Sequence, residues 1–487
     1  MTKSITDCCR DIEKNSLIGL LGKIDQDYVR KGSLISLTIR IPGIGEVVCI
    51  RVFRAIQGKR LVCLGETSGR KVIVKLYFSP RRARANWKRS YSGCRAFIER
   101  HIPAPGILFS GYVPEYGLYA MVFEYLVDAG RVDSALETCP NMHVKGQVLD
   151  LLVNCLADIH EHGILQNDLH MGNFMIGGEC IYALDGDQVK TSRWPIKRIK
   201  SLKNLARLLA NLPTVYNSIL EARILSYVNR RGWHITDAEV KKVKDDVRKI
   251  RRGFLSEYLS KINRTRDPFI SYTDTRTFSV FDRHHIDLEH EAILKASAYP
   301  YPENESSKVS GYSKISIDSK DILIWKSPGY GPLMLKGFWS ASRVWKNALM
   351  LRWLSIRTPH PIAIVMRKRG AFRWDCFVFF KSVEGIRFGD MFFSKTVSGE
   401  DKELVAACLA DTLSVMNGMG IYMGRISHRE ILTSESCPIF LGLDAIGSCK
   451  FGVQRKQAKS LRLFLLQWED LPIIKDTLMK QFENFLR

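Results

Sequence analysis

The chain has 487 residues, 46% hydrophobic, 10% aromatic and 25% charged. That is a globular composition too long for one ordinary core, so two or three domains are expected. Lys plus Arg number 73 against 50 Asp plus Glu, a net charge of +23, which favours an anionic partner: nucleic acid, anionic lipid headgroups or a phosphorylated glycolipid. The most apolar stretches, 34–41 and 148–156, fall far short of the ~20 residues of a membrane span. Residues 1–15 carry Asp7, Asp11 and Glu13 without the apolar core of a secretory signal. The 12 cysteines show no paired spacing beyond Cys8–Cys9, as expected of reduced thiols in a cytosol.

Past an N-terminal extension over 1–33, strands are predicted first. Ile35, Leu37, Ile39 and Ile41 alternate with Ser36, Thr38 and Arg40. Further strands are expected over 46–53, 60–64 and 71–78, divided by a Pro-Gly-x-Gly turn and by the turn Gly65–Gly69. In the last of them Lys75 points to one face among apolar neighbours. Such a lysine is commonly an edge residue; in a nucleotide-binding lobe it neutralises the α- and β-phosphates. A basic helix over 79–100 closes at Ile102-Pro-Ala-Pro105, and strands over 107–112 and 118–125 follow. The second ends at Glu124 and Tyr125, where a kinase hinge offers backbone groups to adenine. Helices are predicted over 144–160, 200–212, 218–229 and 237–259. Residues 261–311 are turn-rich and expected to be a connector. Asp282, His284, His285 and His290 lie there, but no helical i, i+4 His pair supports a metal site.

The most telling segment is 163–189. Asp168 is followed five residues later by Asn173, and twelve further on by Asp185 at the end of a short apolar run. This is the spacing of a kinase catalytic loop, a short strand and a metal-binding aspartate. One carboxylate accepts or orients the attacking hydroxyl, while an amide oxygen and a second carboxylate hold Mg²⁺. Asp-x-x-x-x-Asn alone is more often a helix cap beside a turn; the downstream Asp185 and upstream Lys75 favour the kinase-like alternative.

A weaker copy of the same order recurs. Lys75, Trp87-Lys88 and Pro103-Ala-Pro105 have counterparts in Lys336, Trp345-Lys346 and Pro359-His-Pro361, and Leu156-Ala-Asp in Leu409-Ala-Asp. Gly163-Ile164 matches Gly420-Ile421. Counting on without gaps, Asp168 falls on Arg425, Asn173 on Glu430, Asp185 on Gly442 and Asp187 on Asp444. An arginine stays protonated, its pKa above ~12, and is no base. The second copy, 312–487, is expected to be a degenerate, non-catalytic version of 34–260.

These residues together resemble the bacterial lipopolysaccharide kinase family, protein-kinase-like enzymes that phosphorylate inner-core sugars. The likeness rests on Lys75, the basic Trp-containing helix, the loop Gln166-Asn-Asp-Leu-His170-Met-Gly-Asn173-Phe, and Ala183-Leu-Asp-Gly-Asp187. It covers most of 50–260 and, more weakly, 312–450. The resemblance implies an α+β, bilobal, protein-kinase-like fold in two tandem domains. It implies ATP and Mg²⁺ as cofactors, Lys75 on the phosphates, Asp168 as base, Asn173 and Asp185 on the metal, and Asp187 as an auxiliary ligand. It implies a lipopolysaccharide core or other anionic glycolipid as acceptor, met peripherally on the inner face of the bacterial inner membrane. Nucleic acid ranks last among partners. Two departures stand out: no acidic residue occurs between Ser79 and Ile98 to pair Lys75, Glu99 being the nearest, and no Gly-x-Gly-x-x-Gly precedes it. The competing expectation is a non-catalytic scaffold that binds nucleotide or lipid.

Overall fold

The computed structural model describes residues 37–487 apart from 266–267, 284–292, 296, 298–311, 318–319, 327–334, 370–372, 436, 450, 470–471 and 487, and upstream of 37 only Leu17, Gly19 and Leu21. The fold is α+β. The chain divides into two compact units, one of 1–212 with 216–247, the other of 213–215 with 248–487.

The first unit opens with an antiparallel sheet of six strands: β1 (Leu37–Ile41), β2 (Gly45–Ile56), β3 (Arg60–Thr67), β4 (Arg70–Tyr77), β5 (Ile107–Val113) and β6 (Leu118–Glu124), in the order β1-β2-β3-β4-β6-β5. Alternation sends Val72, Val74 and Leu76 of β4 into a core with Leu37, Ile39, Leu61 and Cys63. Leu17 and Leu21 from the N-terminal extension pack into that core too. The opposite face of β4 presents Ile73, Lys75 and Tyr77. There helix α1 (Ala83–Glu99) covers the sheet through Trp87, Tyr91 and Cys94. The period of two therefore places Lys75 under the helix.

Next come β7 (Gly130–Arg131), α2 (Val132–Thr138) and α3 (Met142–Glu161), whose first turn is capped by the Asn141 side chain accepting from Val144 N. The loop region is framed by β8 (Ile164–Gln166), a short 3₁₀ turn (Met171–Asn173), β9 (Phe174–Gly177), β10 (Cys180–Ala183) and β11 (Val189–Thr191). Strands β10, β9 and β7 form one small sheet, β11 and β8 another. Helices α4 (Arg198–Ala210), α5 (Leu220–Arg230) and α6 (Asp237–Leu259) follow, and the division between units falls inside α6, at 247/248.

The second unit repeats this order only in its last four strands; its first hairpin joins the opposite edge of the sheet, beside the fifth strand and not the third. Its six-stranded sheet holds β12 (Phe269–Thr273), β13 (Thr277–Asp282), β14 (Tyr312–Ile317), β15 (Lys320–Lys326), β16 (Pro361–Arg369) and β17 (Arg373–Lys381), in the order β12-β13-β16-β17-β15-β14, with α7 (Leu335–Trp353) between β15 and β16. Then come β18 (Ile386–Arg387), α8 (Phe388–Phe393), α9 (Gly399–Gly418), β19 (Ile421–Tyr422), a 3₁₀ turn (His428–Glu430), β20 (Ile431–Ser434), β21 (Cys437–Phe440), β22 (Gly447–Ser448), α10 (Val453–Leu465) and α11 (Pro472–Leu486). Part of the expected connector is thus sheet: 269–282 forms the hairpin β12–β13, with Phe281 paired to Ala363 of β16. Asp282 faces His360 at 3.7 Å; His284, His285 and His290 lie outside the described residues.

Matching hydrogen bonds align the loop regions of the two units. Leu184 N donates to Asn173 O as Leu441 N does to Glu430 O, and Ser192 N to Gly163 O as Cys449 N does to Gly420 O. The gapless count over the loop therefore holds, with Asp185 on Gly442. Upstream, the expected matches slip. Residue 336 lies in helix α7, not in a strand. Glu124 N donates to Gly106 O and Lys381 N to His360 O, and both hairpins carry an irregularity one pair later. With that register Lys75, opposite Met121, corresponds to Trp325, opposite Val378. Likewise Ile102 N to Phe97 O and Ile356 N to Leu351 O set Trp87 against Ala341, so the recurring Trp-Lys pair is a coincidence of composition.

Candidate active site

Three segments distant in sequence meet at the helix-covered side of the first sheet. Strand β4 supplies Lys75, its Nζ 3.6 Å from Asp185 Oδ1 and 3.5 Å from Leu184 O, above the Phe123 ring at 5.3 Å. Strand β3 supplies Arg60, in an ion pair with Asp187. The turn after β10 supplies both carboxylates. Its Asp185-Gly186-Asp187 segment is tied to itself by Asp187 N donating to Asp185 Oδ1 at 3.2 Å.

The charges shift accordingly. Burial works to lower the Lys75 ammonium, but Asp185 foremost, then Cys94 and Tyr77, outweighs it and leaves its pKa raised. Burial works to raise the Asp185 carboxyl, and Lys75 followed by Arg60 reverses that, holding it below the ordinary carboxylate range. Arg54 adds to the same effect. Both partners therefore stay ionised at neutral pH.

Glu99, the nearest sequence candidate for a Lys75 partner, is turned away and pairs with Arg95 at 2.5 Å on the exposed side of α1. In its stead the helix presents Ser90 and Gly93, and Gly93 lies directly against Gly186. A Cβ on Gly93 would come within 2.0 Å of Gly186 O, and one on Gly186 within 2.3 Å of Cys94 N. This glycine-on-glycine crossing brings the helix backbone onto the aspartate segment, and the space a glutamate would take is closed. Asp185 takes over as the Lys75 partner.

The loop itself is fastened from inside. Asn173 Nδ2 donates to Asp168 O at 2.7 Å, which closes the loop and leaves the Asn173 amide oxygen as an available donor atom. Asp168 is half-buried, and among the described residues its carboxylate takes no hydrogen bond. Asn211, at the end of α4, donates to Leu169 O at 2.9 Å. Gln166 Nε2 holds Asp185 O at 2.8 Å, Asn204 Nδ2 holds Gln166 O at 3.0 Å, and Asn204 Oδ1 lies 2.9 Å from His160 Nε2. Since the Asn204 amide nitrogen is spent on Gln166, its oxygen accepts from His160, which in turn accepts from Tyr227 OH through Nδ1 at 2.7 Å. Burial pushes the His160 imidazole down to about 4, in keeping with that neutral tautomer. His170 is also lowered, by burial first.

Glu124 ends β6 with its carboxylate accepting from Gly106 N at 2.7 Å and its own N–H donating to Gly106 O at 3.0 Å. Tyr125 follows, with Lys71 Nζ 5.8 Å from its ring. Lys75, Asp185 and Asp187 are brought together, with Asn173 and Asp168 linked to them through Leu184 and Gln166; Glu124 and Tyr125 sit at the strand end.

Among the described residues no three His, Cys, Asp or Glu side chains close on a point. The donor set for a hard cation here is two carboxylates and one amide oxygen, the kind of ligand Mg²⁺ takes beside substrate phosphates. One observation fits it: Asp187 Oδ1 is buried with no hydrogen-bond partner, while Oδ2 is held by Arg60.

Sequence reasoning missed Arg60, Gln166, Asn204 and Gly93. Only the missing helix glutamate gave a signal, since a buried lysine demands some carboxylate. It also missed that Arg60, at the start of β3 just after the turn 57–59, reaches the aspartates, where a glycine-rich loop would otherwise stand.

No family model matches the chain, and no curated protein sequence matches it. Among solved structures, WaaP in complex with acyl carrier protein is similar at 16% identity, covering 41% of this chain and 88% of that one, with a TM-score of 0.32. Two structures of the Mycobacterium tuberculosis PknI kinase domain are similar at 14% and 16% identity and TM-scores of 0.25 and 0.24. They cover 37% and 32% of this chain, and 75% and 62% of theirs. Scores this low mark a partial likeness and no more.

Proposed function

We propose that the first unit is a protein-kinase-like, ATP-dependent phosphotransferase, and that its acceptor is a sugar hydroxyl of the lipopolysaccharide inner core, reached at the inner face of the bacterial inner membrane. The observation that carries this is the buried Lys75–Asp185 pair beside Asp187 and the Asp168–Asn173 loop. A buried ion pair of this kind adds little to stability by itself, whereas phosphoryl transfer needs these charges in this relation.

In this proposal Lys75 and Arg60 hold the phosphates, and Glu124 and Tyr125 offer backbone to the base. Asp185, Asp187 and the Asn173 amide oxygen would hold Mg²⁺, which would supply neutralisation of phosphate charge. Asp168 accepts or orients the acceptor hydroxyl's proton, and its carboxylate is unencumbered for that task. Arg54 and Arg60 offer cationic cover where backbone amides of a glycine-rich loop would otherwise act.

We propose further that the second unit is a kinase-like copy that does not catalyse. Trp325 stands where Lys75 is, Arg425 where Asp168 is, Glu430 where Asn173 is and Gly442 where Asp185 is. The alternative of a scaffold with no turnover in either unit draws on the missing helix glutamate, but Asp185 already fills that role for Lys75.

The test is transfer of label from γ-labelled ATP, with Mg²⁺, to lipopolysaccharide from a strain lacking this gene. Label on the core sugar with the wild type and not with Asp168→Ala is the expected result. Equal label with both proteins, or none with either while both are folded, would remove the proposal.

A further inference from the structure

We propose that the loop after β11 and the first turns of α4 form a docking surface for an anionic lipid bilayer, with Trp194 and Ile199 entering the interface and Lys190, Arg193, Lys197, Lys200 and Lys203 meeting the headgroups. This rests on the membrane-facing part of the proposed function and names the surface involved.

Trp194 is 71% exposed and Ile199 is 70% exposed, an unusual pair of large apolar groups to leave in water. Neither belongs to a loose loop. Ser192 N donates to Gly163 O at 2.7 Å, Arg100 Nη1 to Ser192 O at 2.9 Å, and Ile196 N to His160 O at 2.8 Å. Ser201 Oγ also donates to Ile196 O at 3.0 Å, and the Ile196 side chain is buried. The backbone is thus pinned on both sides of Trp194, and the indole stands out from a fixed frame, with the Arg193 guanidinium 5.7 Å from its ring.

Along this stretch of chain the charge has one sign. From Gln188 to Leu212 the sequence has seven Lys or Arg and no Asp or Glu. Arg198 is engaged by Glu239 at 3.0 Å and stays out of the count. Lys190, Arg193, Lys197, Lys200 and Lys203 are exposed. Lys200 and Lys203, three apart on α4, share the helix side that faces away from buried Ser201, Asn204 and Leu205. An exposed indole and an exposed aliphatic residue five positions apart, in a stretch whose charges are all basic, match the headgroup boundary, where Trp partitions and each basic residue near an anionic surface adds attraction. A nucleic-acid strand calls instead for several stacking aromatics along a groove.

The full-length protein would be sedimented with vesicles of phosphatidylglycerol in phosphatidylcholine, and of phosphatidylcholine alone, without nucleotide. Binding to the anionic vesicles only, fading as salt rises, is expected. Lys197→Glu with Lys200→Glu should weaken it about tenfold or more, while Lys241→Glu with Lys242→Glu, equal in charge but on α6, should not. Bromolipids should quench tryptophan fluorescence, and Trp194→Phe should remove most of that quenching. Asp168→Ala should dock like the wild type. Equal loss from both double variants, quenching unchanged in Trp194→Phe, or binding only to RNA or an acidic protein would overturn the surface. Lost docking with label transfer to detergent-dispersed lipopolysaccharide intact would separate this inference from the phosphotransferase itself.

Discussion

Lys75 meets Asp185 because the helix above it has no carboxylate to give. Its ammonium is covered by α1 and the sheet, and a cation so placed needs a carboxylate nearby; Asp185 is the one within reach, with Arg60 and Asp187 making a second pair beside it. Two cations and two carboxylates balance, and removing one member leaves a buried charge exposed to repulsion or desolvation. Asp185→Asn should therefore abolish Mg²⁺-dependent nucleotide binding in calorimetry; binding that keeps its Mg²⁺ dependence would count against the metal role. Arg60→Ala, which removes one charge-assisted contact, should weaken ATP binding about tenfold to a hundredfold, and unchanged affinity would return Arg60 to a purely structural part. Asp168→Ala should reduce transfer on the order of 10²–10⁴-fold with little change in ATP affinity. At this scale the sequence was informative only where spacing is local. Asp168, Asn173 and Asp185 sit within one short stretch and could be found by counting. Arg60 lies 127 positions from Asp187, and no periodicity links the two.

Helix α1 and the aspartate segment touch backbone to backbone, and the crossing depends on two residues without Cβ. Gly93→Ala would force Gly186 O aside, an overpacking cost of about 1–3 kcal/mol, and should appear as a lower unfolding temperature together with weaker nucleotide binding. Gly253→Ala, in α6 with nothing within 4 Å of the new methyl, should instead stabilise by roughly 0.5–1 kcal/mol through helix propensity. The same unfolding experiment decides between them, and equal shifts would contradict the crossing. The relay from Tyr227 through His160, Asn204 and Gln166 to Asp185 joins α5, α3, α4 and β8 in one buried chain. The folded-state pKa of His160, about 4, lies below the ordinary 6.5, so the unfolded chain takes up the proton first. Stability from this group is complete above about 6.5 and falls as pH drops towards about 4, by up to about 3 kcal/mol. His160→Gln should flatten the pH dependence of stability in that window; identical slopes would show that His160 does not titrate so. The helices carrying this relay were legible from their periodicity, but not their partners, because the bonds join side chains from four elements.

Across the whole molecule, the two units share a four-strand core with a covering helix, but the leading hairpin pairs with β3 in the first and with β16 in the second. The loop count from Gly163 and Gly420 survived because no insertion separates the loops, whereas unequal lengths between β15 and α7 moved Trp325, not a lysine, onto the Lys75 position. The hairpin β12–β13 reads as a connector in the sequence because its partner strand β16 lies about eighty residues on, Phe281 pairing with Ala363, beyond the reach of any local pattern. In the second unit Glu430 caps its own turn, its Oε2 accepting from Ser427 N at 2.8 Å, so Glu430→Ala should cost about 0.5–2 kcal/mol of stability and leave phosphotransfer unchanged. A large loss of transfer in that variant would mean that the second copy takes part in chemistry. The most direct measurement is the stoichiometry of Mg²⁺-dependent ATP binding to the full chain by titration calorimetry, for the wild type and Asp185→Asn. One ATP per chain, lost in Asp185→Asn, is the predicted result. Two per chain, or one that survives Asp185→Asn, would contradict a single nucleotide site in the first unit.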